Sequence, residues 1–473
     1  MRTNILITAI GALLITGCAS YRTDTPIRSA QLPRSFQGTT DSTSGATIAW
    51  REHFNDPVLV ALIDTALRNN PDRLIALQRI DAARAQVRGA KGALLPEVGA
   101  AASTGVRKFG LYTMDGAGNI TTEITPGQLV PIDLPDYFGA FTASWEIDVA
   151  GRLRNMKRSA QARLIASAEG ANWVTSNLVS EVAATYYDLL ALDNELEVAR
   201  RTIASQQESL DVITAQKETG RANELAVEQF TAQLLSVQAL AREIEQDIRE
   251  KENGLNFLLG RYPQPIERDP QALLRMLPPL LSAGVPSQLL NNRPDIREAA
   301  MNVEAARFDL KAAKAAFYPS VTLTAHYGLQ AFSTGYLLET PASLAYGLLG
   351  GLTAPLINRS AIEAEFRGAK AEQIAMLYDY QRTLLNGVVE VSNALTNVNN
   401  LQTVDSLKSR QSEVMVRSVE TSTELYNAAR AEYLEVLFAQ QNALQAQLEL
   451  IAVKRRQRFA TVDLYRALGG GWR

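Results

Sequence analysis

The stretch PDRLIALQRIDAARAQVRGAKGALLPEV (Pro71–Val98) returns without a gap as PDIREAAMNVEAARFDLKAAKAAFYPSV (Pro294–Val321). Both copies open on Pro-Asp, share Ala-Ala-Arg (Ala82-Ala83-Arg84 and Ala305-Ala306-Arg307) and Ala-Lys, and reach a late proline, Pro96 or Pro319. Two alanine-rich helices can look alike by chance, but prolines matched at both ends argue for duplication. Whatever one copy folds into, the other must fold into as well. Each copy has the same order of parts. A helix runs into the late proline, which cannot continue it. Two strand-like segments separated by a loop follow, then a very long helix, a tight break and a second long helix.

The strands have a period of two. In the second copy Val321, Leu323, Ala325, Tyr327, Leu329 and Ala331 fall on one face, with Thr322, Thr324, His326 and Gln330 on the other. In the first copy Tyr137, Phe141, Ala143, Trp145, Ile147 and Val149 alternate against Thr142, Ser144, Glu146 and Asp148. The strands near Val98–Tyr112 and Leu344–Leu356 alternate less cleanly. A soluble sandwich would show this pattern too. The strand length and the Trp and Tyr near the ends of the apolar phase favour a membrane-spanning sheet. Such a sheet must close, because an open edge in lipid leaves backbone groups unsatisfied. Known barrels start at about eight strands, and one chain supplies four. The pattern therefore requires an oligomer.

The helices carry the sharpest periodicity. Leu189, Leu192, Leu196, Ala199, Ile203, Gln206, Leu210 and Ile213 step by three and four. After a break at Gly220 the stepping resumes at Val227, Phe230, Leu234, Val237, Ala241, Ile244, Ile248, Lys251, Leu255 and Leu258. These are coiled-coil seams, and Gly220 suits the left-handed residue after a helix end. The second copy turns near Ala428–Ala431 and returns through Leu434, Leu437, Gln441, Leu444, Leu448 and Ile451. A continuous helix from Arg152 to Thr219 would be about 100 Å long. The 473 residues would suggest about three average domains by length alone. The low aromatic content and the Ala, Leu, Gln, Glu and Arg of the long stretches suit long helices better. A net charge of −3 with mixed signs offers no basic face for nucleic acid.

The amino terminus has Arg2, an apolar run from Ile5 to Ile15 and then small residues, the pattern of an export signal. The run is too short for a permanent membrane helix. Cys18, the only cysteine, follows at once and has no disulfide partner. Ile15-Thr16-Gly17-Cys18 resembles the bacterial lipobox, whose cysteine becomes the acylated first residue of the mature chain; a plain cleaved signal is the alternative. Ala19 and Ser20 stand where, in that family, an aspartate would suggest inner-membrane retention, so the outer membrane is expected. The chain then divides into a lipoprotein signal (1–17), an N-terminal tether and equatorial segment (18–56), and two repeats. The first (57–286) holds a helix, strands 98–112 and 137–149, a helical hairpin 152–258 and an equatorial segment 259–286. The second (287–473) holds a helix, strands 320–332 and 343–356, a hairpin 360–466 and a tail.

Together the lipobox, the duplicated helix, SWEIDVAGRLR (Ser144–Arg154), APLINRSAIEAEF (Ala354–Phe366), YNAARAEYLEVLFAQQNALQAQ (Tyr426–Gln447) and LYRALGGGW (Leu464–Trp472) carry a resemblance. The chain resembles the outer membrane factor family of TolC-like channels, in the lipoprotein (NodT-type) branch of efflux channels. The resemblance covers essentially the whole mature chain. It implies an α+β membrane protein: a homotrimer whose twelve-stranded outer-membrane β-barrel, four strands per chain, continues into a long α-helical coiled-coil periplasmic tunnel. It also implies a passive exit duct in contact with outer-membrane lipid, docked to a periplasmic adaptor (membrane fusion) protein and an inner-membrane pump of the resistance-nodulation-division type. In relatives the hairpin turns converge on a periplasmic gate. Matching the second hairpin places Tyr426 on the gate tyrosine and Glu435 on an acidic position. Phe438 stands where the best-known member has a second acid, and Arg430 lies one residue before its arginine. Glu432 is a further acidic candidate there, and Asn223, Glu224 and Glu228 are candidates in the first hairpin. For each, a solvated helix-end charge is the competing reading.

An enzyme is not expected. Only two histidines occur, His53 and His326; His326 lies on the polar phase of a strand with no acid–nucleophile pair flanking it in sequence, and neither phosphate-binding glycine motifs nor Cys/His metal spacings occur. No cofactor is expected beyond a covalent lipid on Cys18. The alternative function is a lipid-anchored periplasmic coiled-coil adaptor or structural protein. Within the channel class, heavy-metal export and type I secretion are alternatives to drug efflux.

Overall fold

A computed structural model describes residues 32–36, 43–275 and 281–473. Cys18 and the signal segment lie outside the described residues. Helices α1 (Pro57–Asn69) and α2 (Pro71–Gly92) lead to strands β1 (Glu97–Lys108) and β2 (Asp133–Ile147), then to α3 (Arg152–Glu218) and α4 (Glu224–Leu258). Helix α5 (Pro294–Ala315), strands β3 (Ser320–Ala331) and β4 (Leu344–Thr353), and helices α6 (Ser360–Asn427) and α7 (Tyr433–Ala467) repeat that order. The chain forms two compact units. One comprises Ala82–Leu164 with Met301–Tyr378, and the other Ser29–Asp81, Ile165–Ala300 and Asp379–Arg473, among the described residues. Each unit thus draws on both sequence repeats.

The first unit holds an antiparallel sheet in the order β1-β2-β3-β4. Its central pair joins the repeats, with Trp145 opposite Leu323, Ala143 opposite Ala325 and Phe141 opposite Tyr327. This register puts Tyr137, Phe141, Trp145, Leu323, Tyr327, Tyr346 and Leu348 on one face. Thr142, Ser144, Thr322, Thr324 and His326 fall on the other. The two alternating phases read from the sequence are therefore two faces of one sheet. Strands β1 and β4 are its edges, and among the described residues neither has a further strand beside it.

The strand limits differ from expectation. Strand β1 ends at Lys108 rather than 112, because Gly110 opens a turn in which its carbonyl accepts the Thr113 hydroxyl (2.7 Å). Strand β2 begins at Asp133 rather than 137, since β1 is long enough to pair Lys108 with Asp133. It stops at Ile147, which leaves Val149 outside the sheet. Strand β3 stops one residue short of 332, and β4 is confined to Leu344–Thr353 within the expected 343–356. Asp148 turns the chain into α3. Its carboxylate accepts the N–H groups of Leu153 (3.0 Å) and Arg154 (2.9 Å), donors that a helix start would otherwise leave unpaired.

The second unit is helical. Leu189, Leu192, Leu196, Ala199 and Ile213 of α3 and Phe230, Leu234, Val237, Ala241, Ile244 and Ile248 of α4 are buried as the stepping implied. Lys251 is the exception. It is exposed and paired with Asp188 (2.8 Å), while the neighbouring Glu252 is buried against Arg268 (2.7 Å). A lysine in an apolar seam would lose its hydration. Each repeat fixes the start of its first helix to the end of its hairpin. Asn70 Nδ2 donates to the Leu258 carbonyl (3.0 Å), and Arg293 Nη1 donates to the Ala467 carbonyl (2.9 Å). Arg293 has no exposed side chain. Asp295 and Glu390 (each 2.7 Å) neutralise it, and its guanidinium lies over the Trp173 ring.

Candidate functional site at the hairpin tips

Both hairpins turn by the same backbone device. After α3, Gly220 N–H bonds to Lys217 O (3.0 Å) and Arg221 N–H to Gln216 O (2.8 Å), with Gly220 at φ 75°. After α6, Ala429 N–H bonds to Tyr426 O (2.9 Å) and Arg430 N–H to Leu425 O (2.9 Å), with Ala429 at φ 56°. These are paired Schellman closures. The left-handed position is free of strain for Gly220 and costly for Ala429, whose Cβ crowds its carbonyl.

The equivalence aligns the turns residue by residue: Gly220 with Ala429, Arg221 with Arg430, and Asn223 with Glu432. Asn223 is the N-cap of α4, and its Oδ1 accepts the Ala226 N–H (2.9 Å). Glu432 occupies the same place before α7 but makes no side-chain cap bond, so its carboxylate stays in solvent. Glu224 closes the first turn through an ion pair to Lys217. Glu228, Arg430, Glu432 and Glu435 are exposed and join no ion pair among the described residues.

Tyr426 is different, because its hydroxyl donates to Gln216 Oε1 of the other hairpin. Burial pushes its phenol above the ordinary value, with the Gln216 bond acting in the opposite direction, so it remains a neutral donor. Beneath this clasp Ile213, Ala226, Phe230 and Leu437 form a buried cluster, with Leu210, Val227, Tyr426 and Tyr433 packed on it. Further along, Gln440 Nε2 donates to Ser209 Oγ (2.9 Å) and Gln441 Nε2 to Gln233 Oε1 (2.6 Å).

The tips of one chain are thus joined by an apolar cluster and three side-chain bonds between hairpins. Among the candidates read from the sequence, the fold places Tyr426 in that joint, Asn223 and Glu224 in the first turn, and the remaining charges on the surface. Gln216, Ser209 and Gln440 were not foreseen. Their only signal is that they fall on seam-facing turns close to expected seam positions. No group of acids, His and Cys suited to a metal occurs among the described residues.

The family model described as "Outer membrane efflux protein" matches residues 62–261 and 285–470. The chain is 31% identical to the pyoverdine export outer membrane protein OpmQ of Pseudomonas putida, across 89% of this chain and 88% of that relative. It is 28% identical to the probable outer membrane lipoprotein SilC of Salmonella typhimurium, across 97% of each. It is also 28% identical to the cation efflux system protein CusC of Escherichia coli O6:H1, across 98% of this chain and 97% of that one. Among solved structures, the outer-membrane channel OprN superposes with a TM-score of 0.83 at 24% identity, covering 95% of this chain and 100% of that one. A CusC structure superposes at 0.82 and 25% identity, covering 95% and 99%.

Proposed function

The chain belongs to the outer membrane efflux protein family, and on that premise we propose that three copies assemble into the exit duct of a tripartite efflux system. The observation that carries this reading is the four-stranded sheet with an apolar aromatic face, a polar opposite face and two unpaired edges. In a bilayer β1 and β4 must find partners. Joining β4 of one copy to β1 of the next is a head-to-tail contact, which closes into a ring. Polar residues then line the channel and Trp145, Tyr137 and Tyr346 meet lipid. A periplasmic adaptor and an inner-membrane pump, which we take to be of the resistance-nodulation-division type, complete the path. The relatives' names range from pyoverdine export to cation efflux, which supports a duct whose cargo is set by the pump.

The tips act as the gate. Tyr426 holds the second hairpin to the first through Gln216, and the exposed Arg430, Glu432 and Glu435 meet neighbouring copies where the turns converge. Three-fold repetition of Glu432 and Glu435 makes an acidic aperture that favours cations. Cys18 carries the lipid as a second anchor beside the barrel, and a mature chain whose mass lacks acyl groups would remove that part of the reading. The gate is tested by single-channel conductance in planar bilayers. The double variant Tyr426→Phe, Arg430→Ser is expected to conduct severalfold more than the unmodified protein. Equal conductance would reject the tips as the constriction.

A further inference from the structure

The polar face of the sheet is the wall of the duct, and the pairing register shows where its charges stand. Glu97 and Glu146 lie at the end that joins the helices, and Arg107 and Asp136 at the opposite end. Glu146 is paired with Arg152 (2.7 Å), and the Asp136 carboxylate accepts Gln330 Nε2 (2.8 Å). Between the two ends that face carries Gly, Ala, Ser and Thr, with Phe138, Leu349 and Gln330, and one titratable side chain, His326. Strand β4 adds no charged residue to it. His326 stands opposite Thr142 of β2 and Gly347 of β4. Counting along β2 at about 3.3 Å per residue, Glu146 is about 13 Å from that level and Asp136 about 20 Å. Glu97 is two residues and two strands away. Small residues make the seat of the imidazole. It lies over Gly347, where a Cβ would come to 2.6 Å from Cε1 and 3.2 Å from both nitrogens. Between its level and that of Phe138 stand Ala140 and Gly328, and across them the Phe138 ring meets the imidazole edge to face at 5.9 Å. The His326 side chain is exposed and makes no hydrogen bond or ion pair among the described residues.

We propose that His326 sets the charge preference of the barrel lumen, one imidazole from each of three copies forming a ring midway along it. This rests on the duct reading and adds to it the residue that distinguishes ions. Histidine is the side chain whose charge changes between pH 5 and 8. With the imidazoles neutral, the middle of the wall is uncharged and the ends decide. There Glu97, Asp136 and Glu146 outnumber Arg107 and Arg152, so cations are favoured. Protonation places three positive charges where the fold provides no other charge. At 0.1 M salt a charge acts across about 10 Å, so Glu146 and Asp136 offset the ring only weakly. Carboxylate- and phosphate-bearing solutes then pass more readily, and cationic ones less.

The test is the reversal potential of single channels of the full-length protein in planar bilayers, under a KCl gradient kept at or below about 0.1 M, where screening is weak. Every protein compared carries Tyr426→Phe, Arg430→Ser, so that the tips are the same in all. With His326 present, the preference for K⁺ over Cl⁻ is expected to fall about twofold or more between pH 8 and pH 5. His326→Gln should remove most of that fall and leave the smaller change due to carboxylates. His326→Lys should show at pH 8 the low preference that the histidine channel shows at pH 5. Diethyl pyrocarbonate gives a second reading without a substitution. The only other histidine, His53, is 5% exposed, so the reagent modifies His326, and the pH response should shrink as it does in His326→Gln. An equal pH response in His326→Gln and its parent, or one that survives complete modification unchanged, would overturn the proposal and leave the duct intact. No current from any of the proteins would reject the duct reading itself, and the ring with it.

Discussion

Ala429 sits in a backbone conformation that its duplicated counterpart, Gly220, adopts without cost. Replacing it with glycine removes a left-handed alanine worth about 1 kcal/mol. Ala429→Gly should therefore slow amide exchange in the second turn severalfold, and unchanged protection would contradict the assignment of strain. His53 offers a second residue-level test. It is buried, stacked on Tyr465 at 4.3 Å between ring centroids, and burial holds its imidazole down to about 4. Between pH 6.5 and 4 the unfolded chain takes up a proton at this position that the folded chain refuses. Stability therefore falls as pH drops through that window, by about 2 kcal/mol from pH 7 to 5. His53→Phe removes this component, so its denaturant midpoint should change less between pH 7 and pH 5 than that of the unmodified protein. An identical pH dependence in both would show that His53 does not carry the effect.

At the scale of elements, the two repeats solve one problem with different chemistry. Asn70 is a neutral cap that reaches one carbonyl, whereas Arg293 is a fully buried cation held by two carboxylates and a carbonyl. Arg293→Met leaves Asp295, Glu390 and the Ala467 carbonyl without their partner and should cost about 3–5 kcal/mol. Arg293→Lys should recover little of it, because an ammonium cannot reproduce the forked geometry. Chemical denaturation of the purified protein measures both, and a loss below about 1 kcal/mol in Arg293→Met would show that the cluster is dispensable.

The repeat also explains what was legible. Periodicity exposed the seams through Leu189–Ile213 and Phe230–Leu258, because burial on one helix face is a local pattern. Lys251 broke the pattern because an ion pair to Asp188 on another helix draws it outward, and that pairing is tertiary. Tyr426 was legible through resemblance alone. Its partner Gln216 lies 210 residues away, and no local signal links the two.

For the whole molecule, strand counting already required more than one chain, and the register sharpens this into a specific joint. The apolar and polar phases are sharpest in the central strands β2 and β3, and the pairing register carries the same two faces to the edge strands β1 and β4, where the sheet is ready to continue. A lipid-anchored adaptor would have no use for such edges. Native mass spectrometry of the full-length protein, extracted from the outer membrane in mild detergent, tests this most directly. Closure of the sheet between copies predicts a three-chain particle that persists until denaturation. A single-chain species released intact, with no larger assembly, would contradict it.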